Sequence, residues 1–217
     1  MFTNFKTVKK NKIKFRLFSE SGAGISLIEI IVVIFIIALF SMLAVSDFPR
    51  IQRQFALSKV TYKLDQDLRK TEDLALSGVP IKDKNGIAIK AKGYGIYIPI
   101  VPTTQYIIYA DVDGIQTYNG GGLSCTSQLY AETPETADCV METIDISQAN
   151  PNLNIKSINN IISGTTTSIN FSPPNPIINI ANISPGNSKI EINLGLTNDN
   201  SVTRIVQVYT SGLINVQ

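Results

Sequence analysis

The chain contains no histidine among its 217 residues, which removes the commonest general base and metal ligand. Serine and aspartate are plentiful, but with no histidine and no recognisable nucleophile elbow, nothing in the sequence supports a hydrolase or other catalyst. Cysteine is nearly absent. Cys125 and Cys139 stand alone, and their spacing fits neither a CxxC redox pair nor a zinc ligand set. No internal repeat is visible. Charged residues make up only 17% of the chain and the formal net charge is only +2. Even that small excess sits at one end, because Lys6, Lys9, Lys10, Lys12, Lys14 and Arg16 precede Gly24 against a single acid, Glu20. Without residues 1–24 the chain keeps 13 basic and 16 acidic side chains, a net of −3. The remainder therefore has no overall attraction for nucleic acid.

What the sequence does have is one dense apolar run. The length leaves room for one domain plus a terminal appendage, and the run is that appendage. Between Ile25 and Ser46 the only ionisable residue is Glu29. The 21 residues Ile25–Val45 suffice, at about 1.5 Å per helical residue, to cross a bilayer core of about 30 Å. The basic flank belongs on the cytoplasmic side by the positive-inside rule, so the chain beyond Val45 is expected outside the cytoplasm. A cleaved secretory signal would have an apolar stretch of about 7–15 residues and then an A-x-A-like site; this run is longer, and no such site is obvious after it.

A plain signal anchor accounts for everything in this block except Glu29. A carboxylate costs on the order of 3 kcal/mol at the centre of a membrane helix, less near an end, and is normally kept because it has a partner. If the chain were cut between Gly24 and Ile25, the new α-ammonium would lie near the membrane surface with Glu29 about one helical turn below it. A second copy displaced along the membrane normal could then bring its own ammonium to Glu29, making the carboxylate a device for assembly register.

The residues Gly24-Ile25-Ser26-Leu27-Ile28-Glu29 resemble the type IV prepilin processing motif, Gly followed by Phe-Thr-Leu-Ile-Glu. The resemblance implies cleavage after Gly24 by a prepilin peptidase, N-methylation of Ile25, and a carboxylate at Glu29 that pairs with the N-terminus of an adjacent subunit. The sequence departs from that pattern at Ile25, where Phe is usual, and at Ser26, where Thr is usual. Within the pilin-like proteins, "YIIYADVDGIQTY", "INFSPPNPIINI" and "RIVQVYTSGLINV" look like the head of the minor pseudopilins of type II secretion, the GspH/FimT type. That resemblance implies other pilin or pseudopilin subunits and an inner-membrane assembly platform as partners.

Beyond the run, Ile51, Phe55, Val60, Leu64 and Leu68 recur at spacings of four or five and predict an amphipathic helix. Pro49 is expected to kink or locally open it without ending it, and Gly78-Val79-Pro80 to stop it. The predicted organisation is a leader at 1–24, a long helix at 25–77 (membrane-spanning over 25–45, amphipathic over 46–77), and a β-rich head at 78–217. "GIAIKA", "YGIYIPI", "QYIIYADV", "TSINF", "IINIA", "SKIEINL" and "TRIVQVY" read as short strands, and "VQVYTSGLINV" as a hairpin through Thr210-Ser211-Gly212. Residues 120–138 and 147–167 read as irregular loops. The fold class is α+β, an antiparallel sheet packed against the outer half of the long helix.

Three further features carry possible chemistry. If the head is exported, Cys125 and Cys139 form one disulfide. Asp111-Val112-Asp113-Gly114 has the closely spaced carboxylates of a calcium loop but lacks the later ligands of an EF-hand, so a polar turn is the expectation. Lys82, Lys84, Lys90 and Lys92, with Tyr94 nearby, form a basic cluster interrupted by Asp83, expected to be a solvated hairpin. No metal, cofactor or catalytic residue is expected. The expected role is a structural subunit; a DNA-binding minor pilin, a plain signal-anchored protein and a membrane-anchored enzyme are the alternatives.

Overall fold

The computed structural model describes residues 25–82, 87–120, 124–125, 137–174 and 177–217. The chain divides into two compact units, Met1–Asp47 and Phe48–Gln217, and one helix, α1 (Leu27–Ser77), contributes to both. In the first unit the helix is apolar and bare. Every described side chain from Ile25 to Val45 is exposed, and the most apolar window has a mean hydropathy of 3.0. A helix hydrophobic all round is stable only when something other than water surrounds it.

In the second unit the helix acquires two different faces. Leu57, Val60, Leu64, Leu68 and Ala75 are buried, together with Thr61, Asp67 and Thr71. Steps of three and four keep these residues on one side. The expected face was only partly right. Ile51 is 45% and Phe55 71% exposed, because at about 100° per residue Phe55 lies about 200° from Leu57. Pro49 lies inside α1 and does not end it. The helix stops where expected, at Gly78, whose φ of +57° is the left-handed turn that glycine adopts most readily.

The strands are β1 (Pro80–Lys82), β2 (Ala88–Lys90), β3 (Gly93–Ile98), β4 (Gln105–Asp111), β5 (Cys139–Asp145), β6 (Leu153–Asn159), β7 (Thr167–Ser172), β8 (Ile177–Ile180), β9 (Lys189–Leu196), β10 (Asp199–Tyr209) and β11 (Ile214–Val216). They form not one sheet but two principal ones. A five-stranded sheet runs β5-β4-β3-β7-β8 and a four-stranded sheet β11-β10-β9-β6, with β1-β2 as a separate ribbon. All these pairings are antiparallel. The tract at 147–167 is not wholly a loop. It contains β6, which turns Leu153, Ile155 and Ile158 inward.

Both sheets share one core with α1. Leu57, Leu64 and Leu68 belong to the same buried cluster as Tyr94, Ile96 and Phe171 of the larger sheet and Ile190, Ile192 and Val206 of the smaller. Each fully buried leucine or isoleucine contributes about 1.5–3 kcal/mol relative to exposure, so burial of this face contributes to the stability of the head. Polar contacts fix its register. The Tyr106 hydroxyl donates to Asp67 at 2.5 Å, Lys63 donates to both oxygens of Asp67 at 3.0 and 3.1 Å, and Arg69 donates to the Ile214 carbonyl at 3.3 Å. Burial, with Asp67 beside it, pushes the Tyr106 hydroxyl pKa up.

Candidate functional site

The residues of the processing motif stand at the start of α1. Gly24 and the leader at 1–24 lie outside the described residues, so Ile25 is the first motif residue that can be placed. The Ser26 carbonyl accepts from the Glu29 and Ile30 amides at 3.0 and 3.3 Å, which closes the first helical turn and sets Glu29 within it. Negative charge there is favoured by the helix dipole, by about 0.3–1 kcal/mol. That offsets only part of the cost of a carboxylate in an apolar segment. Among the described residues no cation pairs with Glu29, and its neighbours Ile25 and Ile28 are 71% and 63% exposed.

In the head, polar side chains converge on the outer face of the larger sheet. Asp111 ends β4, Asp138 immediately precedes β5, and one oxygen from each of Asp111, Asp113 and Asp138 lies within 4.8 Å of the others. The Asp111 oxygens accept from the Gly114 amide at 2.6 Å, the Gln116 amide at 3.1 Å and the Asn170 side chain at 3.1 Å. Asp113 accepts from the Ile115 amide at 2.9 Å and from the Asn119 side chain. Asp138 accepts from the Val112 and Asn119 amides, each at 3.1 Å, and its own amide donates to the Asn119 side-chain oxygen at 3.0 Å. All six carboxylate oxygens therefore carry N–H donors, and these bonds tie the loop after β4 to the start of β5.

Burial has an electrostatic consequence here. Burial pushes the Asp138 carboxyl up to about 7, against the two amides that stabilise its charge, while Asp111 and Asp113 add repulsion. Asp111 is pushed up by burial as well, partly countered by the Gly114 and Gln116 amides. The expected polar turn is thus also a knot of three acids whose charges oppose one another.

The disulfide adjoins this knot. The Cys125 and Cys139 sulfurs are joined at 2.08 Å, and the Cys125 amide donates to the Val140 carbonyl at 2.8 Å. Aromatic packing closes the other side. Tyr118 lies against Tyr97 and Tyr109 at centroid distances of 4.7 and 5.2 Å, and its amide donates to the Ser168 hydroxyl at 3.1 Å. Gly95 makes room for this packing, since a Cβ there would sit 2.5 Å from the Tyr109 ring.

Three of the four lysines of the basic cluster lie among the described residues. Lys82 and Lys90 lie exposed on the β1-β2 ribbon, Lys92 donates to the Asp113 carbonyl at 2.9 Å, and Lys84 lies outside the described residues. A groove of about 390 Å³ between α1 and β5 is lined by Lys59, Lys63, Glu142 and Asp145. Its charges are largely engaged: Lys63 with Asp67 at 3.0 Å and Glu142 with Lys70 at 3.1 Å. No sequence pattern pointed to Asp138, Asn119 and Asn170 as members of the acid knot, in which Asn170 bonds Asp111 and Asn119 bonds Asp113 and Asp138. The adjacency of Asp138 to Cys139 was the one available signal.

No protein-family model, curated protein or solved structure matches this chain.

Proposed function

We propose that the chain is the precursor of a pilin-like structural subunit, cut after Gly24, held in the bacterial cytoplasmic membrane by residues 25–45 and built into a type IV pilus or a type II secretion pseudopilus. The observation that carries this reading is the start of α1. An apolar segment exposed on every side contains a single ionisable group, Glu29, one turn from Ile25. Such a segment is useful where lipid, or other copies of itself, replaces water. Its one carboxylate is useful where a cation from another chain approaches it. In this reading the apolar helices pack together, Glu29 sets their register by meeting the α-ammonium of a neighbouring Ile25, and the β-rich head faces outward. The reading also assigns the chain its partners: a prepilin peptidase, other pilin or pseudopilin subunits, and an inner-membrane assembly platform.

The test is the mass of the N-terminal peptide of membrane-extracted protein co-expressed with a prepilin peptidase. A chain beginning at Ile25, with or without an added methyl group, is the expected result. An intact N-terminus carrying Lys6–Arg16 would leave a plain signal anchor, and Glu29 without the proposed partner.

A further inference from the structure

After β4 the chain folds back across the outer face of the larger sheet. Residues 113–120 reach β4, β3 and β7 in turn. The Tyr118 ring packs on Tyr109 and Tyr97, its amide donates to Ser168 at 3.1 Å, and the Gln116 side chain donates to the Ser172 hydroxyl at 3.2 Å. Beneath this strap Tyr109 and Asn170 are fully buried, and the Asn170 amide donates to the Tyr109 hydroxyl at 3.2 Å. The strap itself adds nothing to the core, since every residue from 113 to 120 is exposed or half-buried. Gln116 holds a φ of +63°, a left-handed backbone that is unfavourable for a residue with a side chain and persists only where its surroundings impose it. A segment with few buried apolar contacts and local strain opens more readily than the core it covers.

What holds the strap down is the acid knot. Asp111 takes the Gly114 and Gln116 amides, Asp138 takes the Asn119 amide, and Asp113 takes the Asn119 side chain. The strap lies directly on Asp138, because a Cβ on Gly120 would overlap the Asp138 carbonyl. Asp111 and Asp138 are fully buried there. The titratable groups facing Asp138 are Asp111 and Asp113 and the Tyr109 hydroxyl; Asn170 and Ser168, which β7 turns to the same face, are neutral. Lys92 donates to the Asp113 backbone carbonyl, and among the described residues none of the three carboxylates is in an ion pair. The bonds these carboxylates accept favour their charge, while burial and mutual repulsion oppose it. Lifting the strap gives Asp138 water and takes away the burial that holds its proton, so proton binding favours the closed strap and ionisation the open one. We infer that residues 113–120 are an acid-closed strap, which seals the outer face of the larger sheet at low pH and lifts as the acid knot ionises toward neutral pH, uncovering Tyr109 and Asn170. The strap is independent of the subunit role proposed above, and it gives the head two surfaces, selected by pH.

The test is amide hydrogen exchange of the detergent-solubilised full chain, read by mass spectrometry on its peptides. Each rate is divided by the intrinsic rate at that pH, and EDTA is present so that no divalent cation stands in for the proton. Protection of residues 113–120 should fall as pH rises from the ordinary 3.8 of Asp138 to its folded value of about 7, by up to about tenfold per pH unit, and stay level above that. At each pH these residues should exchange at least about tenfold faster than β9 and β10, the mark of local opening as opposed to unfolding. Asp138→Asn should abolish the slope, whatever it does to the overall level of protection. Asp113→Asn keeps Asp138 but removes a repelling neighbour, so its protection should level off at a lower pH. PH-independent protection in the parent chain would overturn the inference, as would a strap that exchanges no faster than β9 and β10, or a slope that survives in Asp138→Asn. If Asp138→Asn does not fold, Asp113→Asn decides, and levelling at the parent's pH counts against the strap.

Discussion

Asp138 is the residue whose chemistry is most exposed to measurement. Its carboxyl is held up at about 7 by burial against an ordinary 3.8, so the folded chain binds a proton there more tightly than the unfolded chain does. A group of this kind contributes stability fully below its ordinary value, and the contribution is lost as pH rises through the folded value. Asp111 is shifted in the same direction. Asp145 and Glu191 are shifted the opposite way, by the Ser147 hydroxyl and by Lys189 respectively, and they act at lower pH, around and below their ordinary carboxylate values. Between about pH 5 and 7 the melting temperature of the detergent-solubilised chain should therefore fall as pH rises. Asp138→Asn should flatten that slope, while lowering stability overall because an amide nitrogen replaces one acceptor. Circular dichroism melts at several pH values test this; a slope unchanged in Asp138→Asn would assign it to other groups.

At the scale of elements, the loop between β4 and β5 is held at both ends by side chains. The disulfide spans a sequence separation of 14 residues, and a loop of that length is worth up to about 3 kcal/mol in the chain-entropy model. Reduction should lower the midpoint of denaturant unfolding by a corresponding amount, with Cys125→Ser/Cys139→Ser behaving like the reduced protein. Coincident oxidised and reduced curves would show that the acid knot alone holds the loop. The sequence made the inner strands legible through their alternation and β-branched content, as in Ile190, Ile192 and Leu194 of β9. It did not reveal β5 or β6. Both are edge strands, and Glu142 in β5 and Asn154, Lys156 and Asn159 in β6 supply the polarity that keeps an exposed edge from pairing with another chain. The same polarity makes a strand read as a loop. The helix was legible in extent but not in rotation, because Ile51 and Phe55 look like core residues until the position of Leu57 fixes the buried side. The acid knot stayed hidden for a different reason: Asp111 and Asp138 are separated by a loop whose return no local pattern encodes.

For the whole molecule, the informative experiment separates insertion from assembly. Glu29→Ala removes the one charge in the apolar run without touching the head. The variant should enter the membrane as well as the parent, and leader cleavage should still be detectable, but incorporation into filaments should fall at least tenfold if Glu29 meets a neighbour's N-terminus (about 1.4 kcal/mol of coupling or more). Membrane fractionation and immunoblotting of sheared filaments give the two readouts. Undiminished incorporation would remove the register role.

The hydrogen bond from Arg69 to the Ile214 carbonyl joins residues 145 positions apart, and that separation bears on the order in which the molecule is made. Strand pairing between distant segments is slow, because loop closure must precede the contacts that reward it. During synthesis Leu57, Leu64 and Leu68 emerge long before β9, β10 and β11, which cover one side of them. The helix must therefore wait with a wet apolar face while the rest of the chain is delivered. For that interval the nascent head is prone to aggregation, and a folding helper would matter most before residue 214 arrives.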